Sequence, residues 1–188
     1  MKNIVIFASG SGSNAENIYN YIKNNDNINI SLIVTNNNNA YVIERAKKLN
    51  VPCEIITKSE FKNPEFVLNT LKEYNTDLIV LAGFLLLIPE YLINEYKIIN
   101  IHPALLPNYG GKGMYGDNVH KAVIENKEKE SGITIHFVNN KYDDGKIIFQ
   151  AKCEILPQDT FETLAEKIHA LEYEHFPHVI VEVANTLG

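Results

Sequence analysis

Short, continuously apolar segments alternate with helix-like segments along the chain, and this alternation restricts the fold more than any other feature. The run LIVLA at 78–82 is typical of a strand buried on both faces of a parallel sheet. Strands alternating with helices indicate a doubly wound parallel sheet. Predicted strands cover 4–8, 30–35, 52–57, 78–82, 98–101, 132–138 and 146–156. Predicted helices cover 14–23, 40–50, 64–74, 89–95, 119–125 and the region from Thr160 to the C-terminus, interrupted near Pro177.

The last two predicted strands are longer than the others and are separated only by the polar turn NNKYDDG. A short polar turn between two strand patterns suggests an antiparallel addition to the sheet. We therefore predict an α/β fold, a Rossmann-like doubly wound and mostly parallel sheet with an antiparallel C-terminal extension. No repeat, linker or block of charge divides the sequence, which predicts one domain over 1–188.

Composition excludes several classes of function. The net charge is −6 with 17 basic residues, so there is no basic surplus for nucleic acid or an anionic membrane. Cys53 and Cys153 lie 100 residues apart without metal-ligand spacing, which favours reduced thiols and no metal. No apolar run approaches the roughly 18 residues that span a bilayer. We expect a cytoplasmic protein with no leader peptide.

The loop ASGSGSN after the first strand is a candidate anion site. Gly10, Gly12 and Ala15 match the dinucleotide fingerprint G-x-G-x-x-G/A, and a helix N-terminus follows with unpaired N–H groups. A dinucleotide site usually has an acidic residue at the end of the second strand. Here that strand ends in Val-Thr-Asn, which favours a single phosphate group. A tight turn with Asn14 near the helix cap is the structural alternative.

A second candidate site follows the fifth strand, in NIHPALLP. In the common strand order 3-2-1-4, with the fifth strand beside the fourth, this segment and the ASGSGSN loop meet at one crevice. Asn100 and His102 lie two residues apart and share a strand face. Asn can donate to an oxyanion, and His can pass a proton near neutral pH. Asp143 or Asp144 could hold the imidazole, although a plain hairpin turn also explains Asp-Asp-Gly.

Six segments together resemble the folate-dependent formyltransferases, over residues 3 to about 177. They are SGSGSN, LAGFLLLIP, INIHPALLP, GKGMYG, ITIHFVNNKYDDG and IFQAKC. The resemblance implies transfer of a formyl group from 10-formyltetrahydrofolate to the amine of glycinamide ribonucleotide, in de novo purine biosynthesis. It implies no metal, no nucleic acid, no membrane, and a monomer or homodimer.

The resemblance also implies roles for individual residues. Asn100 resembles the residue that polarises the formyl group, His102 the general acid, and Asp143 its carboxylate partner. The residues similar to those that bind the ribonucleotide are Gly12, Ser13, Asn14, His169 and Glu172. The residues similar to those around the folate, besides Asn100, are Phe84, Leu85, Leu86, Leu87, Ile88, Asn139, Asn140, Lys141 and Tyr142.

The chain departs from the family pattern at positions that concern the folate tail. Leu86 stands where many members have Arg, and the basic residue that many members have near Pro64 is missing. We therefore consider Lys62 as the residue that holds the anionic glutamate tail of the folate. Four glycines within 110–116 predict a mobile flap that brings Lys112 or Met114 to the substrates. The alternative for this loop is a rigid surface turn.

The sequence also leaves other functions open for the chain. They are another formyltransferase, a formyltetrahydrofolate hydrolase, a dinucleotide oxidoreductase, or a non-catalytic nucleotide or folate binder.

Overall fold

The sheet is built in the predicted order. The computed structural model describes residues 1–187. Its seven strands run β3-β2-β1-β4-β5-β6-β7 across one sheet. They are β1 (Lys2–Phe7), β2 (Ile28–Thr35), β3 (Cys53–Ile55), β4 (Leu78–Leu81), β5 (Lys97–His102), β6 (Glu130–Phe137) and β7 (Ile147–Glu154). Strands β1 to β5 are parallel, and β6 and β7 are added antiparallel. The predicted fold class is confirmed.

Six helices cover the two faces of the sheet, five of them between strands and the sixth after β7. They are α1 (Ser13–Ile22), α2 (Val42–Leu49), α3 (Pro64–Glu73), α4 (Glu90–Glu95), α5 (Asp117–Glu125) and α6 (Phe161–Asn185). A single 3₁₀ turn, Glu60–Lys62, precedes α3. Helix α3 starts where the sequence predicts, because Asn63 accepts a hydrogen bond from the Phe66 N–H and Pro64 occupies the first turn.

Alternate residues of β1 enter two different hydrophobic cores. Ile4 and Ile6 pack with residues of α1, α2, α5 and α6, whereas Val5 and Phe7 pack with residues of α3 and α4. All four side chains are completely buried. Burial of each such side chain contributes roughly 1.5–3 kcal/mol. A strand without a polar face is therefore stable only at the centre of a two-sided sheet.

The register of the central strands places the predicted loops together. Phe7 pairs with Leu81, and Leu81 pairs with Asn100, so β1, β4 and β5 end at the same edge. Across the antiparallel junction, Asn100 pairs with His136 and His102 with Thr134. The loops after β1, β4 and β5 thus open onto one crevice.

The last helix corrects one prediction, because α6 runs unbroken through Pro177 for 25 residues. Proline has no N–H, so the carbonyl of Tyr173 loses its helical donor. The side-chain amide of Asn17 on α1 donates to that carbonyl at 3.0 Å. Packing of α1 against α6 therefore replaces the missing hydrogen bond, which the sequence of α6 alone does not reveal.

The single domain predicted over 1–188 stays a prediction, and Gly188 lies outside the described residues. Within 1–187, no helix combines the length and apolarity needed to cross a membrane.

Replacement of the Asn17 donor tests this account of α6. Asn17→Ala should lower the free energy of unfolding by about 0.5–1.5 kcal/mol, because the Tyr173 carbonyl loses its partner. Asn20→Ala is the matched control, since Asn20 lies on the same helix and only accepts an exposed bond from Lys23. Urea denaturation of both variants measures the difference. Equal effects of the two changes would contradict the role of Asn17.

Candidate active site

A cleft of about 640 Å³ opens at the carboxyl ends of β1, β4 and β5. The loops after these strands form three of its walls, and α5, α6 and the turn after β6 complete it. Ligands of open α/β sheets bind in this position, where the direction of the strand order reverses. The two candidate sites of the sequence therefore line one cavity.

The loop after β1 leaves the first turn of α1 open. Gly12 is the N-cap, with φ of 74°, and has no side chain to cap the helix, while the Ser13 N–H donates to Ser11 Oγ at 3.4 Å. Arg45 donates to the Ser11 carbonyl at 2.9 Å and pairs with Glu16, which fixes the loop from outside. A Cβ on Gly12 would lie 2.3 Å from Val42 Cγ2. The glycine is required by its backbone conformation and by packing, and the anion site predicted at this helix N-terminus stays a prediction.

Asn14 lies near the cap, as the structural alternative has it, but Gly12 and not Asn14 is the N-cap. Asn14 lies inside α1, and its amide donates to Glu172 Oε2 at 3.0 Å. At the end of β2, Asn36 accepts a bond from Ser9 Oγ at 2.5 Å, and Ser9 Oγ accepts from the Leu85 N–H. Asn36 thus joins two loops, and it occupies the place where a dinucleotide site has its carboxylate.

His102 is almost completely buried at the end of β5, with 3% of its surface exposed. Its Nε2 donates to the carbonyl of Tyr109 at 2.7 Å, and its Nδ1 lies 3.6 Å from Asp143 Oδ2. Burial lowers the pKa of His102, and Asp143 and the Tyr109 carbonyl offset this only in part. The negative carboxylate raises the pKa of His102, but the net change is a lowering because desolvation is the larger effect.

Asp143, not Asp144, is the carboxylate that faces His102. Asp143 accepts the Gly111 N–H at 2.9 Å, and its other oxygen lies 3.7 Å from His136 Nε2. Burial alone would raise the pKa of Asp143, but His136, His102 and the Gly111 N–H together hold that pKa below its usual value. The side chain of Asp144 is 55% exposed and lies near Lys141.

Asn100 contacts a residue that the sequence analysis did not assign to the site. Its Nδ2 lies 3.1 Å from Nε2 of His136, which is buried on β6. The Nδ1 of His136 lies 2.9 Å from the carbonyl oxygen of Phe137. The alternation of apolar and polar residues in ITIH of β6 marks His136 as a strand residue. The residue that His136 contacts, however, depends on the register between β5 and β6. That register could not be read from the sequence.

The far wall of the cleft carries the predicted pair on α6. His169 Nδ1 contacts Glu172 Oε2 at 3.1 Å, and this hydrogen bond raises the pKa of His169. His120 of α5 also lines the cleft, and burial lowers its pKa. Within 1–187, His120 Nδ1 and Asn14 Oδ1 are buried polar atoms without a hydrogen-bond partner. Such atoms usually mark the position of a ligand or an ordered water molecule.

Only part of the predicted folate segments reaches the cleft. Phe84, Leu85 and Tyr142 line it. The predicted residues outside this lining are Leu86, Leu87, Ile88, Asn139, Asn140 and Lys141. Ile88 instead belongs to the core that contains Phe7, and Phe84 packs edge-on against Phe7 with ring centres 5.1 Å apart.

The glycine-rich loop lies over the cleft, with Lys112 and Met114 in its lining. Gly111, Gly113 and Gly116 have positive φ angles. Its mobility stays a prediction. No group of three or more His, Cys, Asp or Glu residues within 1–187 could hold a metal ion. Metal independence also stays a prediction.

A family model and named relatives both identify the chain as similar to formyltransferases. A family model described as formyl transferase matches residues 2–180. The chain is 38% identical to a chloroplastic phosphoribosylglycinamide formyltransferase of Arabidopsis thaliana, over 95% of the chain and 64% of that protein. It is 37% identical to the phosphoribosylglycinamide formyltransferase of Bacillus subtilis, over 97% of the chain and 95% of that protein.

A solved structure extends the similarity to three dimensions. The phosphoribosylglycinamide formyltransferase of Anaplasma phagocytophilum superimposes with a TM-score of 0.89 at 31% identity, covering 98% of this chain and 87% of that one. The resemblance inferred from the sequence motifs is confirmed at the level of the family. The chain spans less than two thirds of the length of the plant relative.

Proposed function

Since the chain belongs to the formyl transferase family, we propose that it transfers a formyl group from 10-formyltetrahydrofolate to the amine of glycinamide ribonucleotide, yielding formylglycinamide ribonucleotide for purine synthesis. One observation carries the proposal. Asn100, His102 and Asp143 line the same cleft as the uncapped first turn of α1. An amine acceptor that carries a phosphate fits both ends of that cavity. The names of the relatives support glycinamide ribonucleotide as the acceptor.

The phosphate of the acceptor is assigned to the N–H groups of Gly12, Ser13 and Asn14. These residues line the cleft, and Gly12 lets the backbone turn toward an anion at the positive end of α1. Arg45 is committed to the loop and to Glu16, so it supports the loop rather than the ligand.

The ribose is assigned to the wall formed by α5 and α6. Glu172 is buried and accepts bonds from Asn14 and His169 on one oxygen. His120 on this wall and Asn14 on α1 line the same cleft, and each carries a buried polar atom without a hydrogen-bond partner. Hydroxyl groups both donate and accept, so a sugar suits a mixed set of donors and acceptors.

The proposed reaction forms a bond between the acceptor amine and the formyl carbon and breaks the bond from that carbon to the folate nitrogen. The amine loses one proton and the folate nitrogen gains one. Asn100 can donate an N–H to the oxygen that becomes negative. One well-placed donor of this type lowers the activation free energy by about 3–4 kcal/mol. Placement of both substrates in one cavity lowers the barrier further.

His102 has one nitrogen available for the proton. Its Nε2 hydrogen is held by the Tyr109 carbonyl, because a carbonyl only accepts. Proton exchange therefore takes place at Nδ1, the nitrogen that faces Asp143. The negative carboxylate favours the charged imidazole, which can donate to the oxyanion and toward the leaving nitrogen.

The pterin of the donor is assigned to the end of the cleft near Phe84, Leu85 and Tyr142. The remaining folate segment residues are assigned to its outer margin, except Ile88, whose side chain is buried in the core with Phe7. Lys62, exposed on the turn Glu60–Lys62, is our candidate for the anionic tail. A cytoplasmic location and a monomeric or homodimeric state remain parts of the proposal.

Direct assay tests the proposed function. The protein is incubated with glycinamide ribonucleotide and 10-formyltetrahydrofolate, and a parallel reaction omits the amine. We expect formylated ribonucleotide in the first reaction and unchanged donor in the second. Donor loss without the amine would indicate a hydrolase, and no reaction in either would contradict catalysis.

Replacement of Gly12 tests the phosphate assignment. Gly12→Val should raise the KM for the ribonucleotide by at least about tenfold, a loss of 1.4 kcal/mol in binding. The KM for the folate should change little. Gly10→Ala is the control in the same loop, because a Cβ on Gly10 would meet nothing within 4 Å. A change confined to the folate KM would show that the phosphate binds elsewhere.

The adjacent aspartates test the proton assignment. Asp143→Asn removes the charge that favours protonated His102, so the pKa of His102 should fall further. Activity that needs the protonated ring is retained below this pKa and lost above it. The basic limb of the kcat/KM profile should therefore move to lower pH, and activity at neutral pH should fall by about 10²–10⁴-fold.

Asp144→Asn makes the same chemical change one residue away on an exposed side chain. It should leave the pH profile in place. If Asp144→Asn shifts the profile and Asp143→Asn does not, the assignment of the carboxylate is wrong.

A further inference from the structure

We propose that His136 is a positioning residue that fixes the orientation of the Asn100 amide. The inference rests on the proposed formyl transfer, in which Asn100 must present an N–H to the oxyanion. His136 lies directly opposite Asn100 in the antiparallel pairing of β5 and β6. Its Nε2 is 3.1 Å from Asn100 Nδ2, and only 2% of the residue surface is exposed.

The tautomer of His136 follows from its second contact. Nδ1 lies 2.9 Å from the Phe137 carbonyl oxygen, which can only accept a hydrogen bond. Nδ1 must therefore carry the hydrogen, and Nε2 of the neutral ring is left as an acceptor. An acceptor at this place requires that Asn100 point its NH₂ group, and not its oxygen, toward the ring.

In this orientation each polar group of the Asn100 amide has its own partner. One N–H is used by His136, and the second N–H and the oxygen remain for substrates. The second N–H suits the developing oxyanion, and the oxygen suits an N–H of the attacking amine. Without the acceptor on His136, the amide could rotate by half a turn and exchange these two positions.

The backbone around His136 holds the ring in place. The pairing of β6 with β7 shifts register between Ile135 and His136, a local irregularity that re-aims a side chain. A Cβ on Gly145 would lie 1.6 Å from the Phe137 carbonyl oxygen and 3.4 Å from His136 Nδ1. The turn before β7 therefore covers the ring closely, and the carbonyl that sets the tautomer is fixed.

Asp143 lies between His136, which contacts Asn100, and the proposed general acid His102. Its two oxygens lie 3.6 Å from His102 Nδ1 and 3.7 Å from His136 Nε2. A hydrogen on His136 Nε2 would point at the Asn100 NH₂ group and would be shared with Asp143, which is the arrangement in which His136 lowers the pKa of that carboxyl. With the hydrogen on Nδ1 instead, His102 and the Gly111 N–H are the contacts that hold this pKa down. The neutral tautomer with hydrogen on Nδ1 keeps both Asn100 and Asp143 in their proposed roles.

A double-mutant cycle tests the inference. His136→Leu removes the acceptor and keeps a buried side chain, and His136→Gln retains an acceptor at a similar reach. We expect His136→Leu to lower kcat by about tenfold to a hundredfold with little change in the ribonucleotide KM, and His136→Gln to restore most of the loss. In an Asn100→Ala background, His136→Leu should have almost no further effect.

Ser131→Ala is the control for β6, because Ser131 is buried on the same strand and lies outside the cleft lining. It should leave kcat unchanged. Equal losses from His136→Leu with and without Asn100 would overturn the inference. So would an undiminished kcat in the His136→Leu single variant.

Nitrogen-15 NMR of the histidine rings gives a readout that does not depend on activity. We expect His136 to be neutral with its hydrogen on Nδ1, and a ring with its hydrogen on Nε2 would overturn the inference. If the wild-type protein transfers no formyl group, the proposed function fails, and the role of His136 toward the oxyanion falls with it. The NMR result then still decides the tautomer and the orientation of Asn100.

Discussion

The pairing of β6 with β5 is the contact on which the proposed chemistry depends. The parallel half of the sheet brings β5 to the crevice, but it supplies only Asn100 and His102. The antiparallel strand adds His136 opposite Asn100 and leads into the turn that carries Asp143. The buried hydroxyl of Thr134 adds two hydrogen bonds between β6 and the loop after His102. It donates to the Ala104 carbonyl and accepts from the Leu106 N–H.

Burial and charge act in opposite directions at this junction. Desolvation lowers the pKa of His102, and the negative charge of Asp143 raises it. The contacts of that carboxylate hold its own pKa below the usual value despite its burial, and in the tautomer proposed for His136 these contacts are His102 and the Gly111 N–H. An acid in such a site depends strongly on one carboxylate, because water contributes little to the stability of the charged ring. This dependence is the physical basis of the proposed pairing of Asp143 with His102.

Much of the fold follows from local sequence signals. The buried runs of β1 and β4 have one stable environment, the centre of a two-sided sheet, and the polar turn before β7 indicates the antiparallel end. The continuous path of α6 was not predictable, because the compensation for Pro177 comes from Asn17, far away in the sequence. His136 was missed for a similar reason. Its function depends on which residue lies opposite on β5, and strand register is a long-range property.

A structure with both substrates in place tests the central claim most directly, namely that one cleft holds an acceptor phosphate at α1 and the reacting amine at β5. The protein would be crystallised with glycinamide ribonucleotide and an unreactive folate analogue. We predict phosphate oxygens within about 3 Å of the N–H groups of Gly12 to Asn14, and the amine beside Asn100 and His102. A phosphate bound elsewhere, with the amine away from Asn100, would contradict the account.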